Sequence, residues 1–216
     1  MTFKEFNLHP DLYQGIEASG YTSPTPVQEL VIPSILSGRD IIASAQTGTG
    51  KTAAFLLPMI HHLIQHKHDH KVSALIIVPT RELAKQISQH IEGFTYFTEI
   101  SFIAIYGGND GQNFVAEKKA LQMGADIVIC TPGRLIAHLN MDYFDLKGLQ
   151  WLVLDEADRM LDMGFQEDLA KITSLLPVSK QTLLFSATMP DRIRQLARKI
   201  LKNPIEVNIA ISKPPE

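Results

Sequence analysis

Seven short apolar or β-branched runs recur along the chain, at positions 40–45, 74–78, 102–106, 127–131, 151–154, 182–186 and 205–210. Each is separated from the next by a stretch with helical periodicity or helix-start signals. Alternation of that kind predicts an α/β fold in which a parallel sheet is covered by helices on both faces. Thr25 and Pro26 read as an N-cap followed by proline at the first helical position, and Met189-Pro190 opens the last helix in a similar way. In that last helix Ile193, Leu196, Ala197, Ile200 and Leu201 fall at helical spacing, so one face is expected to pack on the sheet.

With 216 residues, 45% hydrophobic and 20% charged, the chain can bury a sizeable core, and a single domain over 1–210 is expected. The stretch 211–216, ISKPPE, is polar and proline-rich and reads as a linker or chain end. The opening MTFKEFNLHPD lacks the basic and apolar regions of a signal peptide, and no apolar run approaches membrane-spanning length. One cysteine, Cys130, excludes an intrachain disulfide framework and fits a reducing compartment. A cytoplasmic setting (cytosolic or nuclear) without membrane attachment is therefore expected. The net charge of −3 gives no bulk attraction to nucleic acid, so any such contact must be local.

Chemistry enters at two places. The segment AQTGTGKT, Ala45, Gln46, Thr47, Gly48, Thr49, Gly50, Lys51 and Thr52, follows the first apolar run and has the form of a phosphate cradle. Its glycines let backbone N–H groups turn inward around phosphate oxygens, and a helix starting at Lys51 adds its dipole. Lys51 would reach the β and γ phosphates, and the Thr52 hydroxyl would ligate Mg²⁺. The strict pattern wants glycine where Ala45 stands, and taken alone the segment also reads as a glycine-rich turn. About a hundred residues later, Asp155 and Glu156 follow the apolar run Trp151, Leu152, Val153 and Leu154. Asp155 can hold Mg²⁺ and Glu156 can orient and deprotonate an attacking water. Two acids after a strand are also common as an N-cap with first-turn charge. Together with the phosphate loop, at the carboxyl edge of a parallel sheet, they point to an ATPase.

The ordered series AQTGTGKT, PTRELA from Pro79, Gly107-Gly108, TPGR from Thr131, DEAD from Asp155 and SAT from Ser186 resembles the amino-terminal RecA-like domain of DEAD-box RNA helicases. Upstream, GYTSPTPVQ resembles that family's Q motif, with Phe3 at the matching upstream aromatic position. Alanine is usual in the family where Ala45 stands. The resemblance implies ATP and Mg²⁺ as ligands, with Lys51, Asp155 and Glu156 catalytic. It implies Gln28 selecting adenine through its carboxamide and Phe3 stacking on the base. It implies contacts to one RNA strand through Pro79, Thr80, Arg81, Gly107, Gly108, Thr131, Pro132, Gly133 and Arg134, largely to the backbone and so indifferent to sequence. Asp158, Ser186 and Thr188 would couple the nucleotide state to RNA, through hydrogen bonds to Asp158.

Several other features invite functional readings. The histidines at 61, 62, 66, 68 and 70 could be taken for a metal site, but HKHDHK reads better as a solvated loop. Cys130 and the methionines Met160 and Met163 are expected in the core. Arg192, Arg194, Arg198 and Lys199 are expected on a solvated helix face. The family pairs two such domains, and the second carries an arginine finger, a device contributing roughly 10³–10⁵ in rate to related phosphoryl transfers. The chain is thus expected to be a monomeric first domain that binds ATP and is nearly inactive alone. A DNA-translocating helicase, and a non-enzymatic protein acting as a nucleotide-gated RNA clamp or as a scaffold for partner proteins, are the competing readings.

Overall fold

The apolar runs lie side by side as parallel strands, because the central ones are buried on both faces and only a helical crossover can return the chain to the same edge. The structure is a computed structural model and describes residues 1–46, 48–66, 71–108 and 111–208. Its strands are β1 (Ile41–Ser44), β2 (Ala74–Ile77), β3 (Phe102–Ile105), β4 (Ile127–Cys130), β5 (Trp151–Leu154), β6 (Gln181–Ser186) and β7 (Ile205–Asn208). All pair in parallel, in the order β3-β4-β2-β5-β6-β1-β7. The helices are α1 (Pro10–Ala18), α2 (Pro26–Leu36), α3 (Lys51–Gln65), α4 (Arg81–Thr95), α5 (Gly111–Met123), α6 (Pro132–Leu139), α7 (Ala157–Asp162), α8 (Gln166–Ser174) and α9 (Asp191–Ile200), after a short 3₁₀ turn at Phe3–Phe6.

Alternate strand residues feed two separate cores. Ile76, Ile129, Val153, Leu183 and Phe185 face one layer, where Leu12, Val31, Phe55, Ile87 and Phe94 of α1 to α4 meet them. Ile77, Val128, Leu152, Leu154 and Leu184 face the other, against Leu135, Met160, Leu169 and Ile193 of α6 to α9. Each fully buried large side chain contributes about 1.5–3 kcal/mol. Close packing has a local requirement at Gly15, where a Cβ would stand 2.4 Å from the Phe94 carbonyl oxygen, so α1 can approach α4 only as glycine. At the amino edge the buried Asp40 carboxylate accepts hydrogen bonds from the Thr182 and Lys202 backbone N–H groups, at 2.9 and 2.7 Å. It thereby ties the starts of β6 and β7 to β1.

The described strands end one or two residues short of several apolar runs. Ala45, Val78 and Thr131 each still donate one backbone hydrogen bond to a neighbouring strand, at 3.1, 2.9 and 3.1 Å, and then leave the sheet. The run 205–210 is described only to Asn208, and 209–216 lie outside the described residues. Cys130 is buried, and burial pushes its thiol up, as a small core residue. Met160 is fully buried, but Met163 is 49% exposed, contrary to its expected place in the core. The cause is that α7 stops at Asp162 and Met163 is its C-cap, so the chain has already turned outward. Among the described residues no helix is long and apolar enough to cross a membrane.

Candidate active site

All the motif residues gather at the carboxyl edge of the sheet, where parallel strands hand over to helices. The strand order sorts them. β1, β5 and β6 lead into the phosphate loop, the acids at 155–158 and the Ser-Ala-Thr segment, while β2, β3 and β4 lead into 79–81, 107–108 and 131–134.

On the first side, Gly48 and Gly50 adopt φ values of +82° and +90°, the left-handed region that favours glycine. The turn is braced from α2. Thr25 Oγ1 donates to the Thr49 carbonyl at 2.9 Å, and Gln28 Nε2 donates to the Gly50 carbonyl at 3.1 Å. A Cβ at Gly50 would stand 2.6 Å from Gln28 Nε2 and 2.8 Å from Thr25 Oγ1, so the brace and the glycine require each other. Thr49 Oγ1 closes the turn on the Gln46 carbonyl at 2.9 Å. Ala45 is buried and Gln46 exposed; Thr47 lies outside the described residues.

Lys51 is 6% exposed and Asp155 2%, and Lys51 Nζ stands 3.8 Å from Asp155 Oδ1. The same oxygen accepts the Glu156 backbone N–H at 2.9 Å. Burial pushes the Asp155 carboxyl up to about 6, despite Lys51 and the Glu156 N–H, and the charges of Glu156 and Asp158 add to the rise. Thr52, the second residue of α3, is half-buried. Glu156 holds φ +53° as the N-cap of α7, and its carboxylate accepts a hydrogen bond from Arg159 at 3.2 Å. Such a backbone costs on the order of 1–3 kcal/mol for a residue other than glycine. Asp158 meets the Ser-Ala-Thr segment as expected: its Oδ2 accepts from Thr188 N at 2.9 Å and Thr188 Oγ1 at 2.8 Å, and its N–H donates to Ser186 Oγ at 3.2 Å. Burial alone would raise the Asp158 carboxyl, but the hydrogen bonds with Thr188 and Ser186 hold it below its ordinary value.

Two nucleotide-side residues are placed otherwise than expected. Gln28 is 1% exposed, and its Oε1 accepts from Thr25 N at 2.9 Å while its Nε2 holds Gly50, so no free amide edge faces a base. Phe3 is 2% exposed, with its ring set edge-on to Phe6 and Tyr21 at 6.1 Å each, so no free aromatic face is offered. In this conformation they brace the phosphate loop and anchor the amino-terminal segment. Tyr21, Leu83, Gln86 and His90, none of them singled out from the sequence, line the cleft of about 320 Å³ that also contains Lys51, Thr52, Asp155 and Glu156. The last three of the four recur at i, i+3 and i+7 along α4, a one-face stripe that was visible in the sequence. Tyr21 and His90 meet through a hydroxyl–Nδ1 contact of 3.4 Å.

On the second side, Thr80 caps α4 by accepting from Leu83 N at 3.3 Å, and Thr131 opens α6 ahead of Pro132. Pro79 and Pro132 are buried, whereas Gly107, Gly108 and Gly133 are exposed. The two arginines differ. The Arg81 side chain is 52% exposed and pairs with its exposed neighbour Glu82 at 3.2 Å; Arg134 is 14% exposed and pairs with the buried Glu117 at 2.7 Å.

His68 and His70 lie outside the described residues, His62 stacks on His66 with ring centroids 4.2 Å apart, and His61 Nδ1 accepts from His9 N at 2.9 Å. Among the described residues no cluster of three or more His, Cys, Asp or Glu could hold a metal ion. In the basic stretch of α9, Arg192 pairs with Asp162.

A parallel sheet, a left-handed glycine loop opening a helix, and a buried Lys–Asp pair define a RecA-like phosphate-loop domain. The DEAD/DEAH box helicase family model matches residues 25–196. Among curated proteins, the DEAD-box ATP-dependent RNA helicase RhpA of Helicobacter pylori is 46% identical over 98% of the chain, which covers 42% of that protein. The ATP-dependent RNA helicase CshA of Listeria monocytogenes is 44% identical over 96% of the chain and 39% of its own length. A solved structure of a DEAD box protein from Methanococcus jannaschii superposes with a TM-score of 0.90 at 39% identity, covering 98% of this chain and 56% of that one. The chain belongs to the DEAD/DEAH box helicase family. It spans about two fifths of the length of these two curated relatives.

Proposed function

We propose that this chain is the ATP-binding half of an ATP-dependent RNA helicase, in which hydrolysis of Mg-ATP is coupled to local opening of an RNA duplex once a second RecA-like domain closes on it. The observation that carries the reading is the burial of Lys51 beside Asp155 at the mouth of a glycine loop in which a side chain at Gly50 would be strained. A buried carboxylate raised to about 6 next to a lysine is an unfavourable arrangement unless something charged completes it.

The donor set fits magnesium. The Asp155 carboxylate and the Thr52 hydroxyl are hard oxygen ligands, few enough that phosphate and water would complete the shell. When bound, the ion would neutralise charge developing on the transferred phosphoryl group. Lys51 holds positive charge against the phosphates, and the loop amides orient them. Glu156, at the head of α7, would align and deprotonate water, and its hydrogen bond with Arg159 orients the carboxylate until then. Gln28 reaches adenine only by releasing the Gly50 carbonyl, so base recognition and loop geometry are linked through one amide. The hydrogen bonds from Thr188 to Asp158 tie the acids to the segment that would report nucleotide state.

RNA binding is assigned to the surface from Arg81 through Gly107 and Gly108 to Thr131 and Arg134. Helix-start amides and arginines there recognise phosphate and carry no base information. The isolated domain is a monomer of low activity, acting in the cytoplasm. The test is turnover: this chain should hydrolyse ATP barely, and joining it to the second domain of its parent should restore RNA-stimulated hydrolysis that Lys51→Ala abolishes. Robust RNA-dependent hydrolysis by this chain alone would refute the division of labour. Stimulation by DNA as strong as by RNA would favour the DNA-translocating alternative.

A further inference from the structure

We propose that Glu117, His138 and Tyr143 are positioning residues that hold the Arg134 guanidinium in the orientation in which it takes an RNA phosphate, an inference that rests on the RNA reading of 131–134. The observations come from two helices that follow neighbouring strands. α5 supplies Phe114 and Glu117, and α6 supplies Arg134 and His138, one turn apart on the same face. Arg134 Nε donates to Glu117 Oε2 at 2.7 Å, and His138 Nε2 meets the same oxygen at 2.7 Å. The ring of Phe114 lies under both partners, 4.2 Å from the His138 ring at an interplanar angle of 9°, and 4.7 Å from the Arg134 guanidinium carbon. On its other nitrogen His138 contacts the Tyr143 hydroxyl.

The chemistry fixes the proton positions. An ionised carboxylate only accepts, so Nε2 of His138 carries the proton and donates to Glu117, and Nδ1 accepts from the Tyr143 hydroxyl. His138 is wholly buried, and burial lowers its pKa, so the ring stays neutral and the chain of donors runs one way, from tyrosine to histidine to glutamate. A buried carboxylate at 6% exposure is costly unless it is paired and hydrogen-bonded, and here Arg134 and His138 both donate to its Oε2. The bond to Glu117 uses Nε, and among the described residues the guanidinium makes no other hydrogen bond. The forked end with its two terminal nitrogens is left for a ligand, pre-oriented by the carboxylate on one edge and the Phe114 ring beneath. An arginine so held loses little freedom on binding phosphate.

The test separates positioning from charge. Removing a carboxylate near a phosphate site should strengthen RNA binding on electrostatics alone; loss of positioning should weaken it. Binding of this chain to a labelled single-stranded oligouridylate is measured by anisotropy across a salt series. Glu117→Ala is expected to weaken binding roughly 3–10-fold. Glu117→Gln, which keeps the volume and a carbonyl acceptor, should fall between it and the wild type and carries the test if the alanine variant does not fold. Arg134→Gln, whose amide can still donate to Glu117, should reduce the salt slope by about 0.7, one phosphate contact on a single strand. Adding Glu117→Ala to Arg134→Gln should bring no further loss, whereas a purely structural role would add to it. If Arg134→Gln weakens binding but Glu117→Ala binds as tightly as the wild type or tighter, the positioning role is wrong. If Arg134→Gln itself leaves affinity and slope unchanged, the RNA reading of Arg134 fails and the proposal falls with it.

Discussion

The two halves of the carboxyl edge handle charge in opposite ways. Around β1, β5 and β6 the polar groups are mostly buried or half-buried and already connected: Lys51 with Asp155, Asp158 with Thr188, and Gln28 with Gly50. Around β2, β3 and β4 the contact groups are mainly exposed glycines and helix starts, with Arg81 in solvent. Burial makes sense where one compact ligand must be enclosed and its charge matched, since electrostatic attraction strengthens as water is excluded. Exposure makes sense where a long polyanion slides past, because backbone amides and solvated arginines cost the unliganded protein little. Arg134 is the exception on the second half, and its buried partner Glu117 gives it the character of the first.

If that contrast is right, the nucleotide half should be electrostatically strained when empty. The largest expected effect concerns Asp155. Its folded carboxyl is raised to about 6 from an ordinary 3.8, so the folded state binds the proton more tightly than the unfolded chain. The resulting stabilisation is present in full below pH 4 and is lost as pH rises through 6. Relative to Asp155→Asn, the wild type should lose on the order of 3 kcal/mol between pH 4 and pH 7. Denaturant unfolding of both proteins in chelator, at the two pH values, measures the difference. Parallel pH profiles for the two would mean that Asp155 is not strained and that the contrast is overdrawn.

A second and smaller effect falls at Gly50. Alanine there must adopt φ +90° and collide with Gln28 Nε2 and Thr25 Oγ1. Strain of about 1–3 kcal/mol predicts ATP affinity roughly 10–100-fold weaker, read by calorimetric titration. Nucleotide-free binding of RNA should change little, since the loop lies on the other half. A matching loss of RNA binding would show that the two halves are not separable.

Much of this was legible in the sequence, and what was not has physical causes. Ala74–Ile77 and Ile127–Cys130 are buried on both faces, so they appear as unbroken apolar runs that can be located to within a residue. The phosphate loop and the acids were readable because their chemistry needs particular residues in a fixed local order. Residues whose neighbours come from elsewhere in the chain were not. Gln28 carries the right amide, but its Gly50 partner lies 22 residues away, and only the fold shows that both ends of the amide are occupied. Phe3 is aromatic whether it stacks on a base or packs edge-on against Tyr21. Met160 and Met163 share a helical spacing, yet the helix ends between them. Glu117 and His138 belong to no local pattern: they meet because α5 and α6 follow adjacent strands.

The smallest of the expected effects tests the solvated half. The Arg81 side chain is 52% exposed and its ion pair is with the exposed Glu82, so Arg81→Ala should leave stability within about 0.5 kcal/mol. It should remove one phosphate contact, weakening single-stranded RNA several-fold and lowering the salt slope by about 0.7. Because an exposed arginine at a helix start reads phosphate, the loss should be equal for uridine-rich and adenine-rich strands. Competition anisotropy with the two strands at matched salt makes the comparison directly. A loss confined to one strand would mean that Arg81 reaches base edges. The second half would then share the built-in selectivity that the comparison reserves for the nucleotide side.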